Sequence, residues 1–243
     1  MSTLFHEILY LPLFNCLIFF YNNLPFQDLG VAIILLTIFI RLILFPLFYK
    51  GAKDQAIMQR LSPKIKDIQN IHKQDKEKQA RALMDLYREH KINPLSGFLL
   101  VLVQLPILIA LYRVFLGGFS MESLGSLYSF IVRPAFLDHF FLGAIDLTKR
   151  NIFIVIGAAV SQYYQGKLAL PPNSSGKKDM APAEAMSRQM VYLGPFLTIA
   201  FLYFLKLPSA VGLYWLTTSF FSVIQQIIIN SRIPTNMGVD LRE

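Results

Sequence analysis

The sequence predicts an all-α polytopic membrane protein with five transmembrane helices, an N-terminal helix on the outer interface and a cytoplasmic helical hairpin. Three observations carry that class. Of 243 residues, 54% are hydrophobic and the mean hydropathy is +0.48, more apolar surface than a soluble domain of this length needs. The apolar residues clump into stretches that approach the roughly 20 residues needed to cross a hydrocarbon core. Lysine and arginine collect in alternate connections between those stretches, the pattern that sets topology.

The spans read as 30–49, 95–116, 151–170, 190–206 and 209–229. Asn93-Pro94 supplies a helix start for the second, with Asn as N-cap and Pro at the first helical position. Leu207-Pro208 makes a tight turn, so the last two spans form an antiparallel pair. Residues 1–29 carry no Lys or Arg, whereas 50–93 carry eleven, which places that segment in the cytoplasm. The loop 117–150 balances Arg133, Lys149 and Arg150 against Glu122, Asp138 and Asp146 and lies outside. The loop 171–189, with Lys177, Lys178 and Arg188, lies inside, as does the tail 230–243 with Arg232 and Arg242. The N-terminus is therefore outside and the C-terminus cytoplasmic. The net charge of +8 follows from this asymmetry and not from a nucleic-acid site, so no DNA partner is expected.

Residues 1–26 are apolar but hold His6, Glu7, Pro12 and the pair Asn22-Asn23. They lack the basic start and small-residue cleavage site of a signal peptide. They read as an extracytoplasmic amphipathic helix preceding a core at 27–243. A sixth span there would reverse the charge pattern downstream. Asn15 before Cys16 spoils a lipoprotein cleavage site, so Cys16 reads as a packed thiol. Segment 50–93 has the helical stripe Ile57, Leu61, Ile65, Ile68 and then Leu83, Leu86, Tyr87. Ser62-Pro63 is a helix start, and "NIHKQDKEKQ" a turn near residue 74. Its basic residues suit anionic headgroups on composition alone; a docking arm is the sharper reading.

Arg41 is the informative residue. It lies about eleven residues into its span, roughly 16 Å deep in a ~30 Å core. Placing Arg there costs about 2.5–3.5 kcal/mol, and the five spans contain no Asp or Glu to offset it. They do contain neutral polar residues: Thr37, Gln104, Ser161, Gln162, Thr198, Thr217, Thr218, Ser219, Gln225 and Gln226. If several converge, they line a wet, positively charged cavity whose counter-charge comes from another molecule. Pro46 and Pro106 each free a backbone carbonyl and bend a helix, as an open groove requires.

Other chemistry is poorly served. One cysteine excludes an internal disulfide framework, and His6, His72, His90 and His139 are scattered, so no metal site is expected. No phosphate-binding GxxxxGK[ST] loop or carboxylate cluster is present, so no cofactor and no covalent catalysis are expected.

Three stretches carry a resemblance over nearly the whole chain. "GVAIILLTIFIRLILFPLFYKGAKDQAIMQRLSPKIKDIQ" resembles the first core span and basic loop of YidC-type membrane protein insertases. "DKEKQARALMDLYREHKINPLSGFLLVLVQLPILIALYRVF" resembles their second hairpin helix and second span, with "INPL" and the "QLPI" to "ALYRV" run most characteristic. "LPSAVGLYWLTTSFFSVIQQ" is similar to the last span. The resemblance implies five spans around a hydrophilic groove open to cytoplasm and lipid and closed to the outside. It implies insertion and folding of newly made proteins in the bacterial cytoplasmic membrane, alone or beside the Sec translocon. The groove arginine falls on Arg41, the third-span glutamine on Gln162 and the last-span aromatic on Trp215; the span polar residues Gln104, Thr217 and Ser219 are expected to join them in contacting clients. The hairpin, with Lys64, Lys66, Arg81 and Arg88, is implied to receive clients and targeting factors. Implied partners are nascent membrane proteins, lipids, the Sec translocon, the signal recognition particle with its receptor, and the ribosome.

Two departures matter. Ser219 stands where many members have Asn. No large extracytoplasmic domain precedes the first core span, which suggests the short five-span form or a trimmed chain, and the weakly basic tail argues against a ribosome tether. A transporter or channel for an organic anion, with Arg41 as binding residue, is the alternative, but no internal repeat supports it. A lipid-modifying enzyme would need interfacial acidic or His clusters, and Glu122, Asp138, His139 and Asp146 are spaced like an interfacial loop.

Overall fold

A proline sets the first bend of the bundle. The computed structural model describes residues 3–117, 123–170 and 182–233; Glu122, Lys177, Lys178 and Arg242 lie outside them. Helix α1 is Thr3–Asn23, α2 is Leu29–Ile43 and α3 is Phe45–Arg60. Asp28 caps α2 by accepting the Val31 amide at 2.9 Å. Because Pro46 has no N–H to return to Leu42, the helix cannot run straight through. It breaks at Leu44 and turns by 71°. The stretch read as one span over 30–49 is thus a bent pair, and Arg41 occupies the last turn of α2. At 15 residues α2 is roughly 22 Å long, short of a ~30 Å core, so only the α2–α3 pair taken together is long enough to cross.

The polar segment forms α4 (Ser62–Ile71) and α5 (Lys76–Glu89). Pro63 fits the first turn of α4, where no donor is needed. Asp75 caps α5 through the Lys78 amide at 3.0 Å. Ile57, Leu61, Ile65 and Leu86 bury against one another. They also meet Ile229 and Ile233 at the end of the chain's last helix.

Helix α6 is Ser96–Gly117, with Pro106 inside it. Asp54 of α3, itself buried, accepts the Ser96 hydroxyl at 2.5 Å and so fixes the start of α6 against α3. A short hairpin follows, β1 (Phe140–Phe141) paired antiparallel with β2 (Ile145–Asp146). Then come α7 (Ile152–Ala169), α8 (Pro182–Ile199, prolonged as a π turn over Ala200–Phe204) and α9 (Ser209–Arg232). The α8 helix starts well before the apolar stretch read as 190–206. Arg188 therefore sits on a helix, because helical backbone continues past the apolar part of its sequence.

Among the described residues, Thr3–Asn23, Ser96–Leu116 and Ser209–Arg232 are long and apolar enough to cross a membrane, with the bent α2–α3 pair a fourth. Val191–Phe204 is apolar but shorter. In α7, Ser161, Gln162, Gln165 and Lys167 dilute the apolar run. Helix α1 has a particular placement. Phe5, near its start, lies under Arg113 toward the C-terminal end of α6, with Cζ 5.4 Å from the ring centroid. Its other end leads directly into the N-terminus of α2. These belong to the same end of the bundle, because Gly51 in the middle of α3 and Gly97 at the start of α6 face Leu100 and Gln55 respectively, so α6 starts beside α3 and runs back toward the start of α2. Both ends of α1 thus lie at one end of the bundle, with Phe14, Leu17, Ile18 and Tyr21 facing into the main apolar core. Cys16 packs half-buried beside that core.

Candidate functional site: a polar cavity with a buried arginine

Four helices each turn one stripe toward a common cavity of about 400 Å³. From α3 come Phe48, Ala52 and Gln55, and from α6 Leu100, Gln104 and Leu108. From α7 come Gln162, Gln165 and Ala169, and from α9 Tyr214, Trp215, Thr218, Ser219, Ser222, Gln225 and Gln226. All recur at three- and four-residue spacing, as one face of a helix requires. Arg41 enters from the end of α2.

Arg41 is buried, 7% exposed. Its Cζ sits 4.3 Å from the centroid of the Phe48 ring. In a straight helix residues seven apart lie ~10.5 Å apart along the axis; the bend at Leu44 brings Phe48 back over the charge. No carboxylate pairs with Arg41 among the described residues. A ring face supplies about 0.5–2 kcal/mol, which does not replace a counter-ion.

Opposite Arg41 the walls are neutral and polar. Gln104 Nε2 donates to the Tyr214 hydroxyl, joining α6 to α9. The Ser219 hydroxyl donates to Gln162 Oε1 at 3.0 Å, joining α9 to α7. Gln225 Oε1 is buried and has no hydrogen-bond partner among the described residues. A buried acceptor left unmet costs about 1–3 kcal/mol, so this wall favours a donor from water or from a bound chain.

Of the residues singled out from sequence, Arg41, Gln104, Gln162, Trp215 and Ser219 share this cavity. Thr217 does not line it; its hydroxyl donates to the Leu213 carbonyl of its own helix at 2.8 Å. Thr37 and Thr198 likewise satisfy themselves on Ile33 and Gly194. Lys64, Lys66, Arg81 and Arg88 lie on the hairpin, away from the cavity. Arg81 pairs with Glu77 at 2.5 Å and Arg88 with Asp85 at 3.7 Å, all well exposed, so these pairs add little stability. Sequence reasoning missed Tyr214, Ser222, Gln165, Gln55 and Phe48. The signal was present for α9: 215, 218/219, 222 and 225/226 mark a single polar stripe.

Fold and cavity define a class: an all-α polytopic membrane protein with a polar, cationic cavity set among its helices. The chain belongs to the 60Kd inner membrane protein family, which matches residues 19–236. Its relatives include membrane protein insertases YidC from several bacteria. The one from Fusobacterium nucleatum is 36% identical over 202 residues, covering 83% of this chain and 86% of that protein. Those from Geotalea uraniireducens and Magnetococcus marinus are 34% and 35% identical over 92% and 90% of this chain. The chain spans only 38% and 34% of those two longer proteins. It is a bacterial membrane protein, and nothing in these similarities supports the anion-transporter alternative.

Proposed function

We propose that this protein is a membrane protein insertase that receives a newly made client chain in the Arg41 cavity and releases it to lipid. The reading rests on one observation above all: a buried guanidinium opens onto a polar cavity and has no carboxylate partner among the described residues. The insertase names of the relatives support the same reading. An acidic or polar segment of a client supplies the missing counter-charge. Gln104, Gln162, Ser219 and Gln225 offer it hydrogen bonds partway across, which lowers the desolvation cost of carrying polar groups through hydrocarbon. The client's apolar helix then leaves sideways into lipid.

In this proposal the protein performs no covalent chemistry and needs no cofactor. Five segments cross the membrane: the bent α2–α3 pair, α6, α7, α8 and α9. Residues 1–26 lie on the outer interface, a setting supported by the position of both ends of α1 at one end of the bundle. The N-terminus faces out, the C-terminus faces the cytoplasm, and the α4–α5 hairpin meets clients there. The Sec translocon, the signal recognition particle with its receptor, and the ribosome belong to this proposal as partners, as does use of the cavity without Sec.

The test is insertion of a small client with an acidic translocated tail into liposomes holding the purified protein, without ATP. Arg41→Ala should reduce insertion several-fold or more. Arg41→Lys should retain most of it if charge, not the planar guanidinium fork, is what the client meets. Wild-type insertion by a folded Ala variant would overturn the reading.

A further inference from the structure

The segment 126–138 at the outer end is built inside out for a loop in water. Its backbone polar groups turn toward α1 and are met by side chains there. Asn15, 1% exposed, donates to the Ser126 carbonyl at 3.3 Å and accepts from the Tyr128 amide at 2.7 Å. Asn22 donates to the Val132 carbonyl at 2.6 Å. The buried Tyr21 hydroxyl accepts from the Asp138 amide at 2.9 Å and donates to the Phe136 carbonyl at 3.4 Å.

Three exposed side chains of the segment are large and apolar. Phe130, Val132 and Phe136 are 75%, 76% and 71% exposed. Scattered exposed apolar residues need no explanation, but a cluster this dense does. Phe26, in the turn after α1, is 92% exposed at the same end. Three polar α1 side chains serving one loop's backbone would gain little in water, which solvates an exposed loop by itself. Where water is scarce, irregular backbone is tolerated only if protein groups satisfy it.

We infer that residues 126–138 form a cap set into the outer-leaflet interface, with phospholipid as its partner. The polar backbone is shielded by Asn15, Tyr21 and Asn22, and Phe130, Val132 and Phe136 anchor the cap among the acyl-chain ends, as aromatic belts do. The patch is continuous with apolar helix surface: Phe19 of α1 and Phe130 line one shared cleft. Val132 and Ala135 line the same cleft. The cap rests on the proposed topology for the leaflet it occupies.

Spin labels test this in the full chain, in liposomes, on a Cys16→Ser background. Labels replace Phe130, Val132 and Phe136 one at a time. Glu77→Cys on the polar hairpin gives the water reference and Ile109→Cys on α6 the lipid reference. Oxygen concentrates in the bilayer and a nickel chelate stays in water. The ratio of their collision rates at 130, 132 and 136 should exceed that at 77 several-fold and approach that at 109. Ratios like that at 77 overturn the cap, and exclusion of both reagents overturns it equally, because a protein then covers the patch. A water-like ratio at 109 would instead remove the membrane setting of α6, a separate failure. Phe136→Ser, which leaves the α1 hydrogen bonds intact, provides a second reading: labels at 130 should shift toward the water reference.

Discussion

The Ser219 hydroxyl donates to Gln162 Oε1 at 3.0 Å and ties α9 to α7 across the cavity wall. Ser219, singled out in the sequence as a polar residue of the last span, thus has a defined partner. Ser219 is buried, so Ser219→Ala should leave Gln162 Oε1 unmet and cost about 1–3 kcal/mol. Combining Ser219→Ala with Gln162→Leu should cost less than the sum of the two single changes, because both halves of the bond are then gone. Thermal unfolding in detergent across the four variants measures this. Strict additivity would mean that the two side chains do not interact.

The cavity was only partly legible in the sequence, and the reason is geometric. Arg41, Gln104, Gln162 and Ser219 stand out because each is a polar residue in an apolar run. Tyr214 and Phe48 do not stand out, since an aromatic among aromatics carries no signal until packing gives it one. Thr217 and Thr218 are indistinguishable by type; helix phase alone turns Thr218 to the cavity and Thr217 back to the Leu213 carbonyl. The all-α membrane class was legible throughout, because it rests on composition and run length. The break at Leu44 was not located, although Pro46 announced a bend: proline within a span is compatible with a mild kink, and only the surrounding packing fixes 71°.

The contact of Arg41 with Phe48 yields a second prediction. Phe48→Leu keeps an apolar wall but removes the ring face 4.3 Å from the guanidinium. Arg41 should lose about 0.5–2 kcal/mol of positioning. Insertion of an acidic-tailed client should fall, but less than in Arg41→Ala. Phe48→Tyr, which keeps the face, should restore it. Equal activity of the Leu and Tyr variants would show that the ring serves only as packing.

Asp28 has two duties. One carboxylate oxygen caps α2 through the Val31 amide at 2.9 Å, and the other accepts the Leu142 amide at 2.6 Å. Leu142 sits at φ +53, a left-handed conformation costly for a branched side chain. Asp28→Ala should cost about 0.5–2 kcal/mol from the lost cap alone, and should also loosen the β1–β2 turn. Hydrogen exchange should therefore accelerate at two places at once, the first turn of α2 and residues 140–146. Acceleration confined to α2 would remove the second duty.

Close approach at the same corner gives a steric prediction. A Cβ on Gly30 would lie 2.2 Å from Cδ2 of the Phe141 ring, so Gly30→Ala forces β1 away from α2. Overpacking of this kind costs about 1–3 kcal/mol. Adding Phe141→Ala to Gly30→Ala should recover part of the loss by clearing the ring. A Gly30→Ala chain as stable as the parent would mean that the ring swings aside freely.

The β1–β2 hairpin should also respond to acid. The Asp146 carboxylate accepts the Thr148 hydroxyl at 2.6 Å and the Thr148 amide at 3.0 Å, and pairs with Lys149 at 2.9 Å. These contacts, the Thr148 hydroxyl first, hold its pKa down at about 2 against an ordinary 3.8. A depressed carboxylate pKa stabilises the fold above the unfolded value, and that stabilisation is lost as protons bind. The loss should therefore run from about pH 4 down to about pH 2 and be absent above pH 5. Exchange of the Leu147 amide, which donates to His139 at 2.9 Å, should rise relative to its intrinsic rate across that window. In Asp146→Asn the protection should start lower and stay flat over the same range. A wild-type profile as flat as that of the Asn variant would show that the Asp146 contacts do not hold the hairpin.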